Sequence, residues 1–359
     1  MALRTKSHEL CSMKIDEMFK QGKEFIEKLK PSDKVILVHH KDADGTYSAA
    51  IVAIALQRLN KKIDKIITGT TERSDEIVKA IQKYNKAIIV DIGIDLLFKE
   101  LNEMNKEILY IDHHLPVDKK LSEKIVYINP RLENEKTYQP ATYVVYKFFS
   151  QLVDLSDKEW LAVIGTIGDY GYEDCRDLLD KYIQVKQKGD IWKTKYGKAV
   201  IETVGAATEI GFNTLLKILI ETNSFGELVK NKKIKIAYRK YQKLYDGAKK
   251  QFWKNAEKFD NVNLIFSVLS SKAERVGSAI ATETSTKYPD KIFFLLEKVD
   301  DFYKIHARYQ KGKINLGKLL REMGVGGGHV GAAGGKIKIK DMGNFKKRLL
   351  EELGGKVSE

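Results

Sequence analysis

Three apolar runs in this sequence end in residues of the kinds that hold metal ions. Val35–Val38 leads into His39-His40-Lys41-Asp42-Ala43-Asp44-Gly45, Ala87–Val90 into Asp91-Ile92-Gly93, and Ile108–Ile111 into Asp112-His113-His114. A fourth apolar stretch, Trp160–Ile167, ends at Gly168-Asp169-Tyr170-Gly171. Clustered carboxylates repel one another unless a cation sits among them. Carboxylate and imidazole without thiolate suit Mn²⁺ or Mg²⁺, with Zn²⁺ also open. Two ions ~3.5–4 Å apart need roughly five to seven ligands, one carboxylate being shared. His40, Asp42, Asp44, Asp91, Asp112, His113, His114 and Asp169 meet that demand. Asp42 and Asp44 alternate by two, which in an extended segment places them on one face. Loop caps and helix N-caps would account for the carboxylates but not for the adjacent histidines. Cys11 and Cys175 are the only cysteines and form no CxxC pair, so the site chemistry rests on Asp and His.

A scaffold has to bring these segments together. The runs Val35–Val38, Ile63–Ile67, Ala87–Val90, Ile108–Ile111 and Ile125–Ile128 alternate with helical stretches such as Tyr47–Leu59 and Asp75–Tyr84. Short, fully apolar strands alternating with helices mark βαβ units and a parallel sheet. Ligands of such sheets sit outside the carboxyl ends of the strands. The polar ends of three strands should therefore meet in one crevice. Residues 1–32 read as an amphipathic helix ending before Pro31, and Ser156-Asp157-Lys158-Glu159 has the form of a capping box opening the helix Trp160–Ile167. Residues 176–260 are mostly helical and polar. A strand at 262–268, a helix from Val276, strands Ile292–Leu296 and Phe302–Arg308, a helix Leu316–Met323, the run GVGGGHVGAAGG, a further strand and a helix Asn344–Leu353 complete a second α/β unit.

The 359 residues suggest two domains. Apolar residues, at 43%, suffice for sizeable cores. Lys and Arg number 63 against 49 Asp and Glu, and a net charge of +14 favours a polyanionic partner, although a Lys-rich solvated surface would give the same balance. No run of about 18 apolar residues exists, and the N-terminus lacks the apolar core of a signal peptide, so no membrane partner is expected and the cytoplasm is the expected compartment. Between Lys230 and Lys258 eleven cations face only Asp246 and Glu257. Tyr238, Tyr241, Tyr245, Phe252 and Trp253 interleave with them, as in single-strand binding surfaces. With Ala248, however, four of these aromatics follow 3-4-3-4 spacing, which reads as a buried stripe and leaves the lysines as a solvent-facing track.

HHKDADG (39–45), VDIG (90–93), IDHH (111–114) and IGDYG (167–171) resemble, in order and spacing, the four motifs of the DHH phosphoesterase superfamily. GGGHVGAAGG (326–335) resembles the glycine motif of its associated C-terminal domain. The resemblance implies two divalent metals, usually Mn²⁺, with Mg²⁺ as an alternative, and hydrolysis of phosphodiester, phosphomonoester or phosphoanhydride bonds. Asp42, Asp44, Asp91, His113 and Asp169 match metal-ligand positions, and Asp91 would bridge. Some members carry a histidine at the position of Val38; His40 is the only candidate to replace it. His114 would orient the nucleophilic water or touch the phosphate, and Asp112 would orient a histidine. Consecutive glycines Gly326, Gly327 and Gly328 permit φ > 0 and an anion-binding nest, to which His329 would add a donor. Arg308 can take a phosphate bidentately. Gly277-Ser278 opens a helix and, with Arg275, resembles the RecJ-like branch; a helix N-terminus attracts phosphate, though small residues there also serve plain helix–sheet packing.

The expected architecture is α/β: an N-terminal helix (1–33), a parallel-sheet DHH domain (34–175), a helical connector (176–261) and a smaller C-terminal α/β substrate-binding domain (262–355), with the active-site cleft between the domains. The expected activity is a Mn²⁺-dependent exonuclease on single-stranded DNA or RNA, hydrolysing by two-metal-activated water, with replication or repair proteins as further partners. The alternative is a nano-RNase or 3′-phosphoadenosine 5′-phosphate phosphatase acting on short substrates. Cyclic-dinucleotide hydrolysis, pyrophosphatase action and a metal-free scaffold in a replication complex rank below these.

Overall fold

The computed structural model describes residues 7–9, 13–70, 74–93, 98–116, 120–185, 188–270, 276–311, 313–328 and 330–357. The chain divides into two compact units, 1–238 and 239–359.

The first unit is built on a five-stranded parallel sheet. Its strands are β1 (Val35–His40), β2 (Lys65–Gly69), β3 (Lys86–Val90), β4 (Glu107–Ile111) and β5 (Ile125–Ile128), in the order β2-β1-β3-β4-β5. Register sets Val38 beside Ile67 and Ile89, and Tyr110 beside Ile89 and Tyr127. Val35, Ile36, Leu37 and Val38 are all buried, as are Ala87, Ile88, Ile89 and Val90. Such strands bury both faces, which is why they read as continuous apolar runs rather than alternating ones. Helix Ala43–Arg58 buries thirteen of its sixteen residues and is therefore an internal element, packed by helices Ala141–Phe149, Glu159–Gly168 and Phe212–Glu221. Tyr47 Oη donates to Thr203 Oγ1 at 3.1 Å, and Ser48 Oγ to Thr142 Oγ1 at 3.1 Å. Residues from Tyr196 to Ala237 join the same buried core as the sheet. The helical segment 176–261 is thus shared out: its early helices complete the first unit, and helix Lys232–Lys254 runs on into the second.

The second unit holds a six-stranded mixed sheet. Strands β6 (Glu257–Phe259), β7 (Leu264–Leu269), β8 (Ile292–Val299), β9 (Phe302–Arg308), β10 (Gly326–Gly328) and β11 (Ala332–Lys338) lie in the order β10-β11-β9-β8-β7-β6. Among the described residues only the β7–β8 pair of this sheet is parallel. Alternate residues feed two cores. Phe266, Phe294 and Leu296 join Leu319 and Leu349 on one face, while Ile265, Phe293 and Leu295 join Phe252 and Ile280 on the other. This is the period-two division of a strand between its faces.

Several local expectations are corrected. The first helix is Ile15–Glu27, shorter than residues 1–32, and Ser7–Glu9 pairs as a strand with Lys120–Ser122. The helix after β1 begins at Ala43 rather than Tyr47, so Asp42 and Asp44 do not share an extended segment. Asp42 is the N-cap, accepting from Gly45 N at 2.9 Å, and Asp44 lies in the first turn. The capping box does not form: Ser156–Lys158 is a 3₁₀ turn with no side-chain cap. Arg58 grips Asp157 through both terminal nitrogens at 2.7 Å, and Glu159 accepts from Tyr182 at 2.6 Å and Lys181 at 2.9 Å. The glycine run is not a nest of left-handed residues. Gly326–Gly328 is an edge strand on β11, and only Gly328 of the three has positive φ (142°). Glycine is required there for close approach, since a Cβ on Gly326 or Gly335 would strike the backbone oxygen of Gly334 or Val325. No helix among the described residues is long and apolar enough to cross a membrane.

Candidate metal centre

The carboxyl ends of β1, β3 and β4 lie side by side and deliver His40, Asp91 and Asp112-His113-His114 to one place. Helix Ala43–Arg58 adds Asp42 and Asp44 from its first turn, and helix Glu159–Gly168 ends on Asp169. Among the described residues three groups of potential ligand atoms, each within 4.8 Å of one another, result: His40/Asp42/Asp91, Asp44/His113/Asp169 and Asp91/Asp112/His113/His114. Asp91 belongs to two of them. It sits in left-handed backbone, φ 58°, as does Tyr170 just after Asp169. Asp tolerates this region better than most residues, yet the strain persists only where surroundings enforce it.

His113 Nε2 faces Asp91 Oδ1 at 3.3 Å, Asp169 Oδ2 at 3.5 Å and Asp44 Oδ2 at 3.7 Å, distances long for strong hydrogen bonds. His40 Nδ1 lies 2.7 Å from Asp42 Oδ2 and 3.8 Å from Asp91 Oδ2. Asp44 accepts from Ala141 N and Thr142 N at 2.7 Å each, and from the Thr142 hydroxyl. A Cβ on Gly45 would fall 2.6 Å from the His40 oxygen, so only glycine lets the helix start this close to the strand end.

The charges explain what the cluster needs. Burial, then the neighbouring charges of Asp169 and Asp42, pushes Asp44 up to about 8. Burial and the charges of Asp44, Asp42, Asp112 and Asp169 hold Asp91 well above the usual carboxylate range. Burial also opposes ionisation of Asp42, but the hydrogen bond and charge of His40 bring it down to about 2. Burial lowers His113, keeping a neutral imidazole, which is the form that ligates metal. Asp91 Oδ2 is buried with no hydrogen-bond partner. A lone pair in that state ordinarily finds a donor or an ion. The oxygen-and-nitrogen donor set and this orphaned oxygen fit divalent cations of the Mn²⁺/Mg²⁺ kind.

Asp112 acts on His114. It accepts from His114 Nδ1 and from Tyr110 Oη at 2.7 Å each. Burial opposes the charged imidazole, but the Asp112 charge and hydrogen bond raise His114 to about 9. His114 is two-fifths exposed, so its ring reaches solvent.

Sequence reasoning missed four supporting residues. Tyr138 Oη donates to Asp169 Oδ2 at 2.5 Å and to its backbone oxygen at 2.9 Å, and its ring meets His113 edge-on at 5.6 Å. Thr142 holds Asp44, Tyr110 holds Asp112, and Asn129 Nδ2 donates to His114 O at 2.8 Å. Asn129 had a signal, an Asn-Pro pair closing an apolar run; the others had none. Outer partners of metal ligands typically carry 10–100-fold of metal affinity. Tyr138→Phe should therefore weaken divalent-metal binding by about that factor at a stability cost of about 1 kcal/mol. Metal titration beside thermal unfolding checks this; an unchanged affinity would reduce Tyr138 to packing.

The remaining candidates lie in the second unit. Arg308 donates to Ser278 Oγ at 3.0 Å, Thr282 Oγ1 at 3.1 Å and Ala307 O at 2.9 Å, so Arg308 and Ser278 do meet at the start of helix Gly277–Lys287. Arg275 and His329 lie outside the described residues. His306 is buried against Glu297 at 2.9 Å, beneath Gly277.

A parallel α/β sheet whose carboxyl edge gathers these carboxylates and imidazoles, followed by a mixed-sheet unit with a glycine strand, is the two-part plan that the DHH resemblance implies. The family models agree: the DHH family N-terminal domain matches residues 34–166 and the DHHA1 domain matches 261–355. The chain belongs to the DHH phosphoesterase superfamily, with a RecJ-like fold. Among solved structures it is similar to RecJ from Thermus thermophilus in complex with Mn²⁺, at 18% identity and a TM-score of 0.72, over 96% of this chain and 55% of that one. It thus spans about half of that protein's length. It is similar to exonuclease RecJ bound to manganese, at 18% identity and a TM-score of 0.71, over 96% and 95%. A pGpG-specific phosphodiesterase from Vibrio cholerae matches at 17% identity and a TM-score of 0.56, over 90% and 99%. No curated protein matches the sequence.

Proposed function

We propose that this chain is a Mn²⁺-dependent phosphodiesterase acting as a single-strand-specific exonuclease of RecJ type on DNA or RNA, in the cytoplasm. The observation that supports it best is the buried, orphaned Asp91 carboxylate shared between two ligand groups at the carboxyl edge of the sheet. Asp42, Asp44, Asp91, His113 and Asp169 would hold two ions, with His40 beside Asp42. Bound ions of this kind lower the pKa of a ligated water and neutralise charge on phosphoryl oxygens. The chain's own residues do the rest. Asp112 fixes the His114 imidazole and keeps it protonated near neutral pH, so that it can donate a hydrogen bond to a phosphate oxygen. Tyr138 and Thr142 hold Asp169 and Asp44. Arg308, Ser278, the glycine strand and the Arg275 and His329 positions would receive the substrate's phosphates.

A second reading, a nano-RNase or 3′-phosphoadenosine 5′-phosphate phosphatase, uses the same centre. It draws support from the similarity to a pGpG-specific phosphodiesterase, whose chain is covered to 99%. Single strands of three and thirty nucleotides, labelled at the 5′ or 3′ end and incubated with Mn²⁺, separate the two. Progressive shortening of the long strand, absent in Asp91→Asn, is the expected result, and the label lost first gives the polarity. Cleavage of the short strand alone would favour the second reading. Inertness toward both, with binding to replication or repair proteins retained, would leave a scaffold.

A further inference from the structure

Helix Lys232–Lys254 carries nine cations against one carboxylate, Asp246. Its two faces have separate fates. Ala248 and Phe252 are buried against the second sheet, with Tyr241 and Tyr245 packed beside them, and Tyr245 Oη donates to Glu283. The aromatic stripe is therefore core, and these rings are not available for base stacking. Along the flank of this stripe, a groove of about 510 Å³ runs between the C-terminal half of the helix and Ser270, at the end of β7, with Leu244 and Ala248 in its floor. Lys243, Lys250 and Lys254 line it, all exposed. Spacings of seven and four residues put them on one helix face over about 16 Å. Lys249, one position off this face, is paired with Glu283, whereas among the described residues no carboxylate forms an ion pair with the three groove lysines. Gln251, which also lines the groove, is held by Ser270: its Oε1 accepts from Ser270 N and Ser270 Oγ at 3.2 Å each.

We propose that this groove binds the sugar–phosphate backbone of a single nucleic-acid strand. The occupant follows from charge complementarity: three cations in line match a polyanion with a regular charge repeat, and about 16 Å covers roughly five phosphates of a stacked strand. With no aromatic side chain among the groove's lining residues, affinity comes from backbone charge alone and is independent of base. The proposal rests on the nuclease reading and deepens it.

The test uses the full chain and the triple variant Lys243→Gln, Lys250→Gln, Lys254→Gln, whose exposed positions and helix-compatible replacements leave folding intact, as a melting curve would verify. Binding of thirty-nucleotide poly-dT and poly-dA is measured in chelator across a salt series. The expected result is an affinity loss of about tenfold or more, equal for both strands. The slope of log K against log salt should fall by about 2, at about 0.7 per lost phosphate contact. Hydrolysis of a dinucleotide with Mn²⁺ should be unchanged. Unaltered affinity and slope would overturn the groove while leaving the nuclease reading intact. A wild-type chain that cleaves nothing would defeat the nuclease reading, and the binding series would still decide the groove. Displacement of the strand by polyglutamate as effectively as by a second strand would overturn the proposal in favour of an acidic protein partner.

Discussion

Asp91→Asn is expected to lower phosphodiester hydrolysis by about 10³-fold or more while making the metal-free protein more stable. Both effects follow from one placement. Asp91 is 2% exposed, bears a buried oxygen with no hydrogen-bond partner and is surrounded by Asp42, Asp44, Asp112 and Asp169. Two ligand groups share it, so its loss removes a contact from each. Without metal the same carboxylate is a liability, because burial and like charges oppose its ionisation. Asparagine removes the charge, keeps the shape and tolerates φ 58°, whereas alanine would add backbone strain. The gain should be about 1–2 kcal/mol at neutral pH, or a few degrees in Tm. The pH dependence has a definite sign. Asp44, at about 8, and Asp91 both titrate above the unfolded carboxylate range near 4, so between those limits the folded state holds more protons than the unfolded one. Metal-free stability should therefore fall as pH rises from about 4 to about 8, less steeply in Asp91→Asn. Thermal unfolding in chelator and in Mn²⁺, alongside rates, checks each part. A variant that melts lower without metal, or keeps the full Mn²⁺-induced rise in Tm, would refute the assignment of Asp91 as a shared ligand.

Asp112→Asn should cost about 10–100-fold in rate and about 2 kcal/mol in stability near neutral pH. Asp112 is buried and accepts from both His114 Nδ1 and Tyr110 Oη. The stability figure sits below that for a fully buried pair because His114 is two-fifths exposed. The Asp112 charge holds His114 near 9, above the ordinary 6.5. A histidine raised on folding adds stability that is complete below 6.5 and disappears as pH climbs through the folded value. The wild-type advantage should thus be largest near pH 6 and shrink above about 9. Urea unfolding in chelator at both pH values, with NMR titration of the His114 ring, reads it directly. If His114 still titrates near 9 in the variant, another group supplies the positive bias and the Asp112–His114 pair is not the device described.

Much of this was legible in the chain itself. Fully apolar runs such as Val35–Val38 and Ala87–Val90 admit little but doubly covered parallel strands, and a parallel sheet sends its strand ends to one side. His40, Asp91 and Asp112-His113-His114 were therefore bound to meet, because side-chain period and sheet direction are properties of local sequence. Motif order did the same for Asp169 at the end of its helix. Tertiary structure alone decided the rest. Asp42 and Asp44 lie on a helix turn because Gly45 can approach the His40 backbone, a contact no spacing announces. Tyr138 and Thr142 reach Asp169 and Asp44 from 31 and 98 residues away, and long-range partners leave no periodic trace. Ser156 and Glu159 show a capping box in sequence, yet Arg58, Tyr182 and Lys181 claim Asp157 and Glu159 instead. The glycine run became an edge strand because β11 offered it hydrogen bonds, where its composition equally allowed a nest. Local sequence determined which residues end each strand and helix. Which atoms those residues touch was settled by packing between segments far apart in the chain, because burial and pairing energies depend on neighbours that a linear pattern does not contain.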